Sequence, residues 1–154
     1  METRRLLVGV DGSVASLEAA RTAIDLAGRW HSELRVVYVI ETAEPGGSTD
    51  RDLTKRLRES GYAILDRVAR IAEAQGVIAT KGLLEGVPFD AILAEARSWK
   101  ADLIVMGRTG RTGPGRALLG SEAERLLEFT ERPVLIVPTT SGANDSGTHL
   151  TGRR

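Results

Sequence analysis

Cysteine is absent from the 154 residues, which removes disulfide, thiolate-zinc and cysteine-nucleophile chemistry together. Histidine is nearly as scarce. His31 and His149 are the 2 histidines, one at the end of a helical pattern and one in a polar tail, and both read as solvated side chains rather than as base or ligand. Excess charge of either sign is missing as well: acidic and basic residues number 21 each. With no global positive field to hold it, a nucleic-acid partner is not expected. Long apolar runs are also lacking. Met1-Glu2-Thr3-Arg4-Arg5 leads into Leu6-Leu7-Val8-Gly9-Val10, which is shorter than a signal-peptide core or a membrane span. The expectation is a cytoplasmic protein with no membrane partner. A hydrophobic share of 42% is enough for one buried core, and the length is too small for two ordinary domains.

What is present alternates between two periods. Leu6 to Val10 is a short continuous apolar run that ends in Asp11-Gly12-Ser13, the pattern of a buried parallel strand meeting a turn. From Val14 to Trp30 the apolar residues Leu17, Ala20, Ile24 and Ala27 recur at helical spacing, with Ser13 as N-cap. Leu34 to Ile40 is rich in β-branched residues and reads as a second strand, followed by a loop from Glu41 to Asp50 that contains Pro45-Gly46-Gly47-Ser48. A long helix follows. Leu53, Leu57, Ile64, Val68 and Ile71 trace one face of it, and Gly76 is placed to stop it in a left-handed conformation. Val77 to Leu84 reads as a third strand interrupted by Lys81 and Gly82, features that an edge strand tolerates.

Pro88 suits the first turn of a third helix, whose buried stripe is Phe89, Ile92, Leu93, Ala96 and Trp99. Asp102 to Met106 is a fourth strand. Ser121-Glu122-Ala123-Glu124 has the S-x-x-E form of a capping box and opens a fourth helix through about Thr130, and Pro133 to Pro138 brackets a last strand. Residues 139–154 hold one large aliphatic residue, Leu150, so that tail is expected to be disordered and the folded domain to span residues 1–138. Strands alternating with helices imply a single α/β domain: a Rossmann-like, doubly wound, five-stranded parallel sheet with four helices. In such sheets ligands sit at the carboxyl ends of the strands, where the winding reverses.

The segment after the fourth strand carries the densest signal. Gly107-Arg108-Thr109-Gly110-Arg111-Thr112-Gly113-Pro114-Gly115-Arg116-Ala117-Leu118-Leu119-Gly120-Ser121 holds five glycines in fifteen residues. Glycine lets successive N–H groups turn inward around an anion. The helix that Ser121 opens adds free N–H groups and a positive dipole end, and Arg108, Arg111 and Arg116 supply screening charge. A polyphosphate is the natural guest. The segment is not G-x-x-x-x-G-K-[ST], and no G-x-G-x-x-G follows the first strand, so neither a P-loop nor a dinucleotide-binding dehydrogenase is indicated. Asp11, at the end of a buried strand, is a candidate contact to ribose or to a Mg²⁺ on the phosphates, and Asp before Gly is also ordinary turn chemistry.

Gly107-x₂-Gly110-x₉-Gly120-Ser121 resembles the ATP-binding pattern G-2x-G-9x-G-[ST] of universal stress proteins. The flanks Ala101 to Gly107 and Pro133 to Val137, and Val8 to Ser13 near the start, are similar to the same family, so the likeness covers roughly residues 4 to 138. The resemblance implies a nucleotide-dependent regulator in stress or dormancy responses that binds ATP or another adenine nucleotide, with Mg²⁺, and that pairs as a homodimer through its last strand. It implies that Gly9 and Asp11 approach the nucleotide and that Val39 offers backbone groups to adenine. It further implies that Met106, Gly107, Arg108, Thr109 and Gly110 line ribose and phosphates, with Arg111 beside them, and that Gly120, Ser121 and the N–H of Glu122 hold the phosphate tail.

The chain departs from many relatives at Glu122 and Ala123, where valine and then a hydroxylated residue are common. A carboxylate at position 122 either points into the site and lowers affinity or points outward and complements the helix dipole. Trp30 and Trp99 end helical stripes and read as core or interface packing residues rather than base-stacking ones. The alternative function is a slow ATPase or an adenylyl-transfer enzyme on the same fold. No histidine, lysine or paired carboxylates lie in the loop to activate water, so a dedicated catalytic activity is not expected.

Overall fold

The computed structural model describes residues 4–42, 51–109 and 119–139. The expectations for the tail beyond Thr139, for most of the loop after Glu41 and for Gly110 and Arg111 lie outside the described residues. The order of elements is β1 (Arg5–Val10), α1 (Val14–Trp30), β2 (Glu33–Glu41), α2 (Arg51–Ala74), β3 (Ala79–Gly86), α3 (Pro88–Trp99), β4 (Leu103–Gly107), α4 (Ser121–Phe129) and β5 (Val134–Val137). All strand pairs are parallel, in the order β3-β2-β1-β4-β5. The chain winds outward from β1 to β3, returns, and winds the other way through β4 to β5, so the reversal lies between β1 and β4. The expected α/β fold with five parallel strands and four helices is what forms.

Strand periodicity sorts the core into two layers. Leu6, Val8, Val36 and Val105 face α1 and α2 together with Ala20, Ile24, Leu65 and Val68. Leu7, Val37, Ile104 and Met106 face α3 and α4 together with Ile92, Ala96 and Leu126. The central strands β1, β2 and β4 therefore read as continuous apolar runs because both of their faces are covered. Ser13 is the N-cap of α1, its hydroxyl accepting from the Ser16 N–H at 3.1 Å. Pro88 opens α3, and Gly76 takes a φ of 75° just beyond α2.

Several boundaries differ from the sequence reading. α4 has Gly120, not Ser121, as N-cap: the Glu124 N–H donates to the Gly120 carbonyl at 3.0 Å. Ser121 is thus the first helical residue and no capping box forms. α2 buries Gly61, Leu65, Val68 and Ala72, whereas Leu53 is exposed. β3 begins and ends two residues later than expected, and Gly82 is not an interruption of it. The Arg35 guanidinium lies against Gly82, where a Cβ would come within 2.6 Å of it, and Arg35 Nε donates to Glu95 Oε1 on α3 at 2.7 Å. Glycine makes room for an ion pair that ties β2 to α3. Trp30 is exposed rather than packed in the core, with the Arg4 guanidinium 5.4 Å from its ring centroid. Trp99 is partly buried against the second layer.

One close approach fixes the carboxyl end of the sheet. A Cβ on Gly107, the last residue of β4, would lie 2.9 Å from both the backbone carbon and the oxygen of Ala15 in the first turn of α1. Backbone cannot move aside as a flexible side chain does. Gly107→Ala is expected to lower stability by about 1–3 kcal/mol, read as a fall in the urea midpoint; an unchanged midpoint would show that β4 and α1 are not held at this distance.

Candidate functional site

At the winding reversal the β1–β4 pairing ends at Val8 and Val105, and beyond it lies a cleft of about 440 Å³, within the range of small-molecule sites. Strand alternation builds its floor. Val37 and Val39 stand on one face of β2, Met106 on the same face of β4, and Ile92 of α3 and Ala123 of α4 close over them. The rim is polar, formed by Asp11 and Ser16 at the start of α1, Glu41 at the end of β2, Arg108 and Thr109 after β4, and Ser121, Glu122 and Glu124 on the first turn of α4. An apolar slot opening onto a helix N-terminus has room for a flat ring at one end and an anion at the other.

The sequence-derived candidates converge here. Gly9, Asp11, Val39, Met106, Gly107, Arg108, Thr109, Gly120, Ser121 and Glu122 all line the cleft. Sequence reading missed Val37, Glu41, Ile92 and Glu124, which line it too. Val37 and Glu41 were findable, since they flank Val39 at the two-residue period of a strand face. Ile92 gave no separate signal, because the same helical stripe that buries it also carries it to the cleft.

Backbone hydrogen bonds place the end of the cleft at α4. The Arg108 N–H donates to the Val137 carbonyl at 2.9 Å, and the Arg108 carbonyl accepts from the Gly120 N–H at 2.7 Å. The two ends of the glycine-rich segment are thereby joined at a neck. Since the first intrahelical donor of α4 is Glu124, the N–H groups of Ser121, Glu122 and Ala123 stay outside the helical ladder and face the rim. Arg108 Nε is buried without a hydrogen-bond partner among the described residues, and a buried orphan donor of this kind calls for an acceptor. Asp11 does engage in turn chemistry. Its Oδ1 accepts from the Ser13 N–H at 2.9 Å, and its own N–H donates to Ser16 Oγ at 3.1 Å.

Glu122 follows neither of the two alternatives cleanly. It lines the cleft, and its Oε2 accepts from the Phe89 N–H at 2.9 Å. Phe89 lies in the first turn of α3, whose N-cap Val87 has no side-chain acceptor to offer. Glu122 therefore supplies from α4 the cap that α3 lacks. Among the described residues no group of three or more His, Cys, Asp or Glu is arranged to hold a metal ion.

Comparison with known proteins settles the lineage. The model of the universal stress protein family matches residues 2–138. The chain belongs to the universal stress protein family. A universal stress protein of Methanocaldococcus jannaschii is 40% identical over 138 residues, covering 87% of this chain and 81% of that one. Among solved structures, a universal stress protein in complex with cAMP is 29% identical with a TM-score of 0.71, covering 89% of this chain and 98% of that chain. The universal stress protein of Archaeoglobus fulgidus in complex with dAMP, at 22% identity and a TM-score of 0.64, covers 88% and 98% and shares the fold. No helix among the described residues of this universal stress protein is long and apolar enough to cross a membrane.

The cap across the two helices makes a stability prediction. Glu122→Ala leaves a partly buried N–H without its acceptor and is expected to cost about 1–2 kcal/mol, whereas Glu122→Gln keeps an oxygen for Phe89 and costs much less. Denaturant midpoints of the two variants test this; equal midpoints would remove the cap from the account.

Proposed function

We propose that this universal stress protein is an adenine-nucleotide-binding regulator of the stress or dormancy response, acting in the cytoplasm. ATP is the ligand to which the glycine spacing points. The observation that carries the reading is the cleft itself: an apolar slot at the winding reversal, ending at three ladder-free N–H groups of α4 beside the orphan Nε of Arg108. A base lies between Val39, Ile92 and Met106, and phosphate oxygens meet the start of α4. The cAMP in a relative of 29% identity supports the ligand class. The residues fit a Mg²⁺ that arrives on the phosphates rather than one held by the protein alone, since Asp11 is the carboxylate at the end of β1. Mg²⁺ there would neutralise phosphate charge. Nucleotide occupancy shifts α4 toward one arrangement, which a partner reads.

Homodimerisation through β5 belongs to the same proposal. β5 is an edge strand paired on one side by β4, and its free edge offers N–H and C=O groups to a second copy. Leu127 and Phe129 on the preceding helix are exposed. Gel filtration with light scattering is expected to give a dimer at micromolar concentration; monomer alone would count against pairing.

The nucleotide reading is tested by mass spectrometry of small molecules released on denaturing the purified protein, together with calorimetric titration of ATP. Release of an adenine nucleotide or saturable binding is expected, and Gly120→Val or Ser121→Ala should weaken the affinity about 10-fold or more, the scale of one or two lost hydrogen bonds to a charged group. A folded protein with neither bound nor titratable nucleotide would overturn the reading.

A further inference from the structure

We propose that Glu122 is a specificity-determining residue that makes the cleft discriminate among adenine nucleotides by phosphate charge, disfavouring the more highly charged ones; this rests on the nucleotide reading above. Four carboxylates, Asp11, Glu41, Glu122 and Glu124, line the cleft against one cation, Arg108, among the described residues. Each of these carboxylates opposes an anion that the local donors attract, and the opposition grows with each phosphate added. Which carboxylate exerts it most follows from position and freedom. Glu41 and Glu124 are exposed, where water and salt screen them. Asp11 lies across the cleft at the start of α1, held by the Ser13 N–H.

Glu122, like Asp11, is half-buried with one carboxylate oxygen held, here by the Phe89 N–H at 2.9 Å. Of these two it is the one that stands in the first turn of α4. The carboxylate cannot swing into solvent without stripping α3 of its cap, so its charge stays beside the N–H groups that a phosphate would use. The same negative charge that complements the α4 dipole offsets part of that helix end's pull on an anion. A neutral nucleoside is indifferent to this charge, a monophosphate meets it once or twice, and a triphosphate meets it most strongly.

Charge and cap are separable by substitution, because glutamine keeps an acceptor oxygen for Phe89 while losing the charge. The experiment measures dissociation constants of adenosine, AMP, ADP and ATP in EDTA at low salt, for the wild type, Glu122→Gln and Glu122→Ala. Glu122→Gln is expected to leave adenosine unchanged and to tighten ATP relative to adenosine by roughly 3–10-fold, with AMP and ADP in between, as a charge removed at close range in a partly solvated site should do. The gain should shrink in high salt. Equal shifts for all four ligands, or none, would overturn the inference while leaving the cleft a nucleotide site. Failure of all four to bind the folded wild type and both variants would overturn the nucleotide reading and this inference with it.

Discussion

The 2.7 Å hydrogen bond from the Gly120 N–H to the Arg108 carbonyl is the constraint on which the site depends. It brings the residue before α4 back to the residue after β4, although eleven residues separate them in sequence. It closes the N-terminus of α4, which the crossover from β4 to β5 carries to this edge of the sheet, onto the end of β4. Two neighbouring contacts serve the same end. Arg108 also donates its N–H to Val137, which registers β5, and Gly107 allows the backbone of β4 to approach Ala15 of α1. Three backbone contacts at two consecutive positions, Gly107 and Arg108, thus fix a strand end, a helix start and an edge strand relative to one another. Backbone donors and acceptors are suited to this, because they depend little on which side chains surround them.

Most of the architecture was legible because its signals are local. The buried runs of β1, β2 and β4, the Ser13 cap and the left-handed Gly76 all follow from residues within a few positions of each other. Gly82 and Ser121 were misread for the opposite reason. Gly82 is explained by an arginine on the neighbouring strand, and Ser121 loses the N-cap position because the neck bond recruits Gly120. The candidate site was legible wherever it coincides with strand ends and the glycine spacing. It was illegible at Ile92, where one side chain serves core and cleft together. The role of Glu122 was legible only as a question, since its partner Phe89 lies 33 residues away.

Affinity in this cleft is a balance of opposed terms rather than a sum of attractions. On the proposed reading, ladder-free N–H groups, the α4 dipole and Arg108 draw an anion in, while carboxylates on the rim, Glu122 foremost, moderate the pull. A fixed charge at a helix end is a direct way to tune affinity for an anion. The structural duty of Glu122 as the cap of α3 couples that tuning to the packing of α3 against α4. Phe89, whose N–H it holds, stacks on Phe129 with ring centroids 5.8 Å apart. A ligand that disturbs Glu122 therefore acts on a contact reaching the exposed end of α4, near β5.

The central claim is that the cleft at the winding reversal is where an adenine nucleotide binds, and amide chemical-shift mapping of the ¹⁵N-labelled protein titrated with AMP tests it most directly. Saturable shifts are expected at Gly9 to Asp11, Val39, Met106 to Thr109 and Gly120 to Ala123, the backbone that lines the cleft. Shifts concentrated instead at the opposite end of the sheet, around Ser32 and Lys100 to Asp102, or no saturable shifts at all, would contradict it.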